Sequence, residues 1–238
     1  MRNYQEKLID LMLISKALLF GEFTLKSGRK SPYFVNTGKF SSGYALSALG
    51  SFYAEHIVTL GLHHCDAIFG PAYKDIPLAT STAIALSRDH RCDMEVPFNR
   101  EESKDHGEGG SLMGKQLQDG NKVIMIDDVI TVGPTVKETV PLLKLRADAS
   151  IEGLIVLVDR CERGKGELSA VQEVKEDYGL NVYPLITLHD IVEYLSDGCS
   201  LMTLSTEQKD QIFDYLQEYG VSDSDKEGDT CFLPPRGI

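Results

Sequence analysis

The chain has 238 residues, 42% of them apolar and 25% charged, an ordinary globular composition with enough apolar material for a sizeable core. Its formal net charge of −12 argues against a nucleic-acid-binding surface, and no uninterrupted apolar run approaches the roughly 18 residues that a membrane span requires. The five cysteines are scattered and form no CxxC pair, which reads as reduced thiols of a cytoplasmic protein and excludes a disulfide frame or a zinc site.

Residues 3 to 19 carry apolar side chains at helical spacing (Leu8, Leu11, Met12, Ile14, Leu18) with acids inside the pattern. An amphipathic helix is expected there, not a signal peptide. "GEFTLKSGRKSPYFVN" holds two strand-like runs around a Ser-Gly turn and predicts a hairpin. A helix from Ser42 to Leu60 should lead into the buried strand "DAIFG", the loop "PAYKDIP" and a helix to about Arg88. "MEVPF" reads as a short strand. "NREESKDHGEGGSLMGKQLQDG" then exceeds the usual connection length, the mark of a functional lid or of disorder. A strand over 122 to 127, a helix from about Pro134 to Leu145 and the strand "GLIVLVD" follow. A helix near 168 to 178, the strand "NVYPLITL" and a helix from His189 close the core. Short apolar strands alternating with helices predict an α/β fold with a mainly parallel sheet covered on both faces. Residues 1 to 220 are expected to form a single domain. The tail "VSDSDKEGDTCFLPPRGI", 221 to 238, is acidic and aperiodic and is expected to be poorly ordered.

The chemistry concentrates in "KVIMIDDVITVGPTVKETV", where a greasy strand stops on Asp127 and Asp128. In open α/β sheets ligands sit beyond the carboxyl ends of the strands, so both acids can face a cleft. Two carboxylates there suit a pair of vicinal hydroxyls or a metal bound through oxygen. The turn that follows has Pro134 at a plausible first helical position and hydroxyls on Thr131 and Thr135, and free N–H groups at that helix start form a phosphate cradle. Diol and phosphate together indicate a phosphorylated sugar. Standing alone, the two acids would more simply end a strand and cap a helix.

They do not stand alone. "VIMIDDVITVGPT" resembles the phosphoribosyl-diphosphate motif of the type I phosphoribosyltransferases. "FTLKSGRKSPYFVN", "FGPAYKDIP", "FNREESKDHGEGG" and "VDRCERGKGELSAVQEV" are similar, in order and spacing, to segments of the orotate phosphoribosyltransferase family. The resemblance covers about residues 3 to 200. It implies the type I phosphoribosyltransferase fold: a five-stranded parallel core sheet flanked by helices, with a small hood from about residues 1 to 40 plus a C-terminal part. It also implies transfer of ribose 5-phosphate from 5-phosphoribosyl 1-diphosphate to orotate in UMP biosynthesis, with Mg²⁺ as cofactor. The enzyme should be a cytoplasmic homodimer with active sites shared across the interface, binding neither nucleic acid nor membrane.

Carried over residue by residue, the resemblance implies that Lys26 contacts the diphosphate end of the donor near the orotate ring, with Phe34 and Val35 beside that ring. Tyr73 and Lys74 line the diphosphate pocket. Arg100, Lys104 and His106 sit on a mobile loop that reaches the partner's active site. Asp127 and Asp128 bind the ribose hydroxyls, while Val129, Ile130, Thr131, Val132, Gly133, Pro134 and Thr135 hold the 5-phosphate. Thr131 and Arg160 fix orotate, Arg160 through charge-assisted bonds to its carboxylate. Asp127, Asp128, Arg100, Lys104 and His106 form the catalytic set, and the metal is held mainly through substrate oxygens. Glu101 departs from the family pattern, standing where the loop usually carries a lysine. Other bases, such as uracil or a purine, are rival acceptors. A regulator that senses the phosphosugar is a rival of another class, but it would want a basic face. No GxGxxG follows an early strand, so a dinucleotide-binding domain lacks support.

Overall fold

The computed structural model describes residues 1–25, 27–99, 112–114, 116–130, 134–146, 148–164, 166–198 and 200–221. Helix α1 (Asn3–Ile14) precedes an antiparallel hairpin, β1 (Leu18–Thr24) and β2 (Lys30–Val35), as the Ser-Gly turn predicts. Then come α2 (Gly43–Thr59), β3 (Ala67–Phe69), α3 (Ile76–His90), and two short paired strands, β4 (Phe98–Asn99) and β5 (Leu112–Met113). The remainder alternates: β6 (Lys122–Val129), α4 (Pro134–Arg146), β7 (Ser150–Asp159), α5 (Ala170–Tyr178), β8 (Val182–Thr187), α6 (Leu188–Tyr194) and α7 (Thr206–Tyr219).

Among the described residues the central sheet has four parallel strands in the order β3-β6-β7-β8, one fewer than the resemblance implies. The place beside β3 is taken by the segment around Glu95, which forms a parallel bridge to Ala67 and receives a hydrogen bond from the Ile68 N–H. Pro97 has no N–H to give, so the pairing there cannot grow into a full ladder.

Side-chain alternation along the central strands builds two cores. Ile124 and Ile126 of β6, with Ile155 and Leu157 of β7, face one layer with α1, α2, α3 and α6. Val123 and Met125, with Leu154 and Val156, face the other with α4 and α5. Every one of these side chains is at most 1% exposed, and each contributes about 1.5–3 kcal/mol by leaving water. The near-continuous apolar run of each strand is thereby explained, since both faces of the sheet are covered. Helices α2 and α3 meet at Gly50, where a Cβ would lie 2.5 Å from the Ser81 backbone.

Helix α7 is the element the sequence reading left without a place. Its start carries a legible signal, a capping box in which the Ser205 hydroxyl accepts from the Gln208 N–H and the Gln208 side chain accepts from the Ser205 N–H. It packs against β2 of the hairpin. The thiols depart from expectation: among the described residues Cys65 and Cys92 are free, but Cys161 is disulfide-bonded. Among the described residues no helix is long and apolar enough to cross a membrane. The tail 222 to 238 lies outside the described residues.

Candidate active site

The carboxyl edge of the parallel sheet gathers the chemistry. Strand β6 carries Asp127 and Asp128 to that edge, and β7, in register with it (Asp127 opposite Val156, Val129 opposite Val158), delivers Arg160 just beyond its end. The chain leaving β3 turns through Gly70 and brings Tyr73, Lys74 and Asp75 alongside. A Cβ at Gly70 would sit 2.7 Å from both Ala79 Cβ and the Asp75 carbonyl oxygen, so the turn can be this tight only without a side chain. The Ala72–Tyr73 peptide is cis, and the Ala72 N–H donates to Asn99 Oδ1 at 2.7 Å.

Asp75, Asp127 and Asp128 are all buried, and each offers a carboxylate oxygen within 4.8 Å of the others. The Asp128 carboxylate accepts from the Lys74 ammonium and from the Thr37 hydroxyl. The backbone N–H of Asp128 donates to Asp127 Oδ1, and that of Val129 to Asp128 Oδ1, both at 2.7 Å. Tyr53, fully buried in α2, donates its hydroxyl to the Asp127 carbonyl at 2.9 Å and fixes the strand end from below. Charge is distributed unequally over the three acids. Burial opposes ionisation of Asp128, but Lys74 and Thr37 outweigh it and hold that carboxyl below its ordinary range. Burial, then the neighbouring carboxylates, raises both Asp127 and Asp75, outweighing the Asp128 N–H at the first and the charge of Lys74 at the second. Lys74 in turn keeps its proton more tightly than usual: burial works against its charge, and Asp128 more than compensates. Thr37, Lys74, Asp75 and Asp128 line a cleft of about 160 Å³ whose apolar floor includes Phe40 and Leu157.

Arg160 lies in a second cluster. Its guanidinium rests over the Tyr33 ring, 4.3 Å from the centroid. Its Nε donates to Glu162 Oε1 at 2.8 Å, and Nη2 lies 2.7 Å from the same oxygen, 3.3 Å from Ser31 Oγ and 3.5 Å from the Tyr215 hydroxyl. Glu162 Oε1 also accepts from the hydroxyls of Tyr33 (3.1 Å) and Tyr215 (2.9 Å), while Oε2 takes Arg29 Nη1 at 3.3 Å. Arg160 Nη1 makes no hydrogen bond to another described residue, so one edge of the guanidinium is committed and the other is available.

Of the residues read from the sequence, Asp127, Asp128 and Lys74 meet directly, and Tyr73 stands beside them, 61% exposed. Val129 ends β6, Ile130 is buried and Pro134 opens α4, as its place at a helix start predicts. Val35 packs on the core, and Phe34 stacks on Phe23 with centroids 5.4 Å apart. Strand alternation sets Phe34 on the opposite face of β2 from Ser31 and Tyr33, the two residues that touch Arg160. Lys26, Arg100, Glu101, Lys104, His106, Thr131, Val132 and Gly133 lie outside the described residues, and the side chain of Thr135 with them. Asp75, Thr37, Tyr53, Glu162 and Tyr215 were not singled out from sequence. Only Asp75 had a local cue, since it sits next to Lys74; the others are brought in by strand and helix packing.

A family model of the phosphoribosyl transferase domain matches residues 46–182. Among curated proteins, the chain is 48% identical over 221 residues to an orotate phosphoribosyltransferase of Photorhabdus laumondii, covering 93% of this chain and all of that protein. It is 47% identical, with the same coverage, to one of Salmonella paratyphi A. Among solved structures, an orotate phosphoribosyltransferase of Francisella tularensis superposes with a TM-score of 0.79 at 35% identity, covering 90% of this chain and 99% of that one.

Proposed function

The chain belongs to the orotate phosphoribosyltransferases, and from that premise we propose how its own residues divide the reaction. The enzyme transfers the 5-phosphoribosyl group of 5-phosphoribosyl 1-diphosphate to N1 of orotate, giving orotidine 5′-monophosphate and diphosphate. Cleavage of the anomeric bond leaves positive charge on the sugar and negative charge on the leaving diphosphate, so the protein must anchor the first and neutralise the second.

Asp127 and Asp128 take the ribose hydroxyls, which add donors to the Asp127 carboxylate, where the one bond from the Asp128 N–H does not offset burial. Residues 129 to 135, which lead into α4, hold the 5-phosphate in this proposal. Tyr73 and Lys74 line the diphosphate, and Lys26 bridges towards the acceptor. Arg100, Lys104 and His106 close over the donor from the partner subunit of a homodimer, excluding the water that would otherwise hydrolyse it. The oxygen-only set of Asp75, Asp127 and Asp128 suits a hard divalent cation. Mg²⁺ is the ion we propose, held mainly through oxygens of the donor, and when bound it offsets charge on the departing diphosphate. A cytoplasmic location accords with these substrates.

The observation that carries the choice of acceptor is the charge balance around Arg160. Among the described residues the network holds two cations, Arg29 and Arg160, and one anion, Glu162, a sum of +1 on half-buried groups. A ligand with one carboxylate completes it; uracil or a purine leaves it uncompensated. Arg160→Ala should raise the orotate KM by roughly 10- to 150-fold, the worth of a charge-assisted hydrogen bond, and leave the donor KM close to wild type. Equal effects on both substrates refute the assignment. The shared-site arrangement has its own test, mixing a Lys104→Ala protein with an Asp128→Asn protein. Random exchange makes about half the dimers hybrids with one whole site, so about a quarter of wild-type activity should return. No recovery despite confirmed exchange places the loop in its own subunit's site.

A further inference from the structure

We propose that Glu162 and Tyr215 are positioning residues for orotate: they hold the guanidinium of Arg160 by one edge so that Nη1 meets the acceptor's carboxylate, which makes the C-terminal helix α7 a determinant of specificity. The inference rests on the reading of Arg160 as the carboxylate ligand. An arginine side chain has several rotatable bonds, and a free guanidinium would lose much of its binding energy to the entropy of being ordered. Here that ordering is already in place. Tyr33 fixes the plane of the guanidinium, and Glu162 takes its Nε and Nη2 edge. The Tyr215 hydroxyl touches both Arg160 Nη2 and Glu162 Oε1, so a single residue of α7 spans the pair.

The helix is itself tied to the loop after β7. The Arg163 N–H donates to the Tyr219 carbonyl at 2.8 Å, Glu162 bridges to Gly220, and Arg29 lies 5.0 Å over the Tyr219 ring. Tyr33 and Tyr215 meet edge to face at 6.0 Å, and both are almost fully buried, so the clamp is packed from two sides. Glu162 also tempers the site. With its single negative charge the cluster attracts one carboxylate; without it two arginines would face each other unpaired, and selectivity for a monocarboxylate would be lost along with the geometry.

The test compares Glu162→Gln, which keeps shape and removes charge, with Tyr215→Phe, which keeps every charge and removes one hydroxyl. Each is made singly and on an Arg160→Ala background, with KM measured separately for orotate and for the donor. Glu162→Gln should raise the orotate KM about tenfold and Tyr215→Phe about three- to fivefold, the donor KM being unchanged. On the Arg160→Ala background Tyr215→Phe should add nothing, because the group it positions is gone. A full additive effect on that background, or an orotate KM unchanged or lowered in both single variants while Arg160→Ala raises it, overturns the inference and leaves the Arg160 reading standing. An orotate KM untouched by Arg160→Ala overturns both. Should Glu162→Gln fail to fold, the isosteric Tyr215→Phe cycle decides alone.

Discussion

Asp75→Asn should make the free enzyme more stable, and only above acidic pH. Three carboxylate oxygens lie within 4.8 Å of one another on buried side chains, and Lys74 pairs with Asp128 alone. Two unit charges at that separation repel by about 3.5 kcal/mol at an effective dielectric constant of about 20. The protein avoids part of this by keeping a proton, so the recoverable gain is about 1–2 kcal/mol, or about 3–6 °C in Tm for a chain of this size. Both burial and the Asp128 charge make the folded state bind the Asp75 proton more tightly than the unfolded state does. The wild type therefore loses stability as pH rises from the ordinary carboxylate value of about 4 up through the raised folded value. The substituted protein has no such proton to lose, so its advantage should be small at about pH 4.5, just above the ordinary carboxylate value, and fully developed only at about pH 8. Differential scanning calorimetry of both proteins, without substrates, measures it. A gain of equal size at the two pH values, or a lower Tm at the higher one, would refute the reasoning, because neither can come from a carboxylate held protonated by its neighbours.

Three further outcomes follow from the same geometry. Asp128→Asn should leave Tm within a few degrees, since the Lys74 it releases is 58% exposed and easily solvated, yet raise the donor KM at least about tenfold in steady-state kinetics. Tyr53→Phe removes one buried hydrogen bond to the Asp127 carbonyl, 2.9 Å long, and should cost about 1–2 kcal/mol in urea unfolding with the acceptor KM unaltered. Gly50→Ala should be strongly damaging, because its Cβ would meet the Ser81 backbone at 2.5 Å; a loss of about 2 kcal/mol or more is expected, and a Tm within a degree of wild type would show that α2 and α3 separate easily.

Local signals were enough for most of the fold. Periodicity alone separates the strands of the sheet from the helices that cover it, because both faces of β6 and β7 are buried and their apolar runs are unbroken. The pair Asp127–Asp128 was legible for the same reason in reverse: a buried strand that stops on two acids needs a ligand, a cap or a partner. The missing fifth strand shows the limit. "MEVPF" has strand composition, but Pro97 and the single bridge at Glu95 leave it only pairing with the edge of β3. Helix α7 announced its start through Ser205 and Gln208, yet nothing local says what its apolar face covers.

What the sequence by itself determined is the inventory: an acid pair after a strand, a lysine after "PAY", an arginine after "VLVD" and the motif order that joins them. Tertiary structure decided how those groups are charged and aimed. Asp127 and Asp128 are neighbours of identical type, but only Asp128 meets Lys74 and Thr37, so the two carboxyls shift in opposite directions. Arg160 is one of many arginines until Tyr33, 127 positions earlier, and Tyr215, 55 positions later, close on it through Glu162. Such contacts have no signature in a linear pattern, because burial and distance between remote positions exist only once the layers have packed, and it is burial and distance that set a proton's affinity and a side chain's direction.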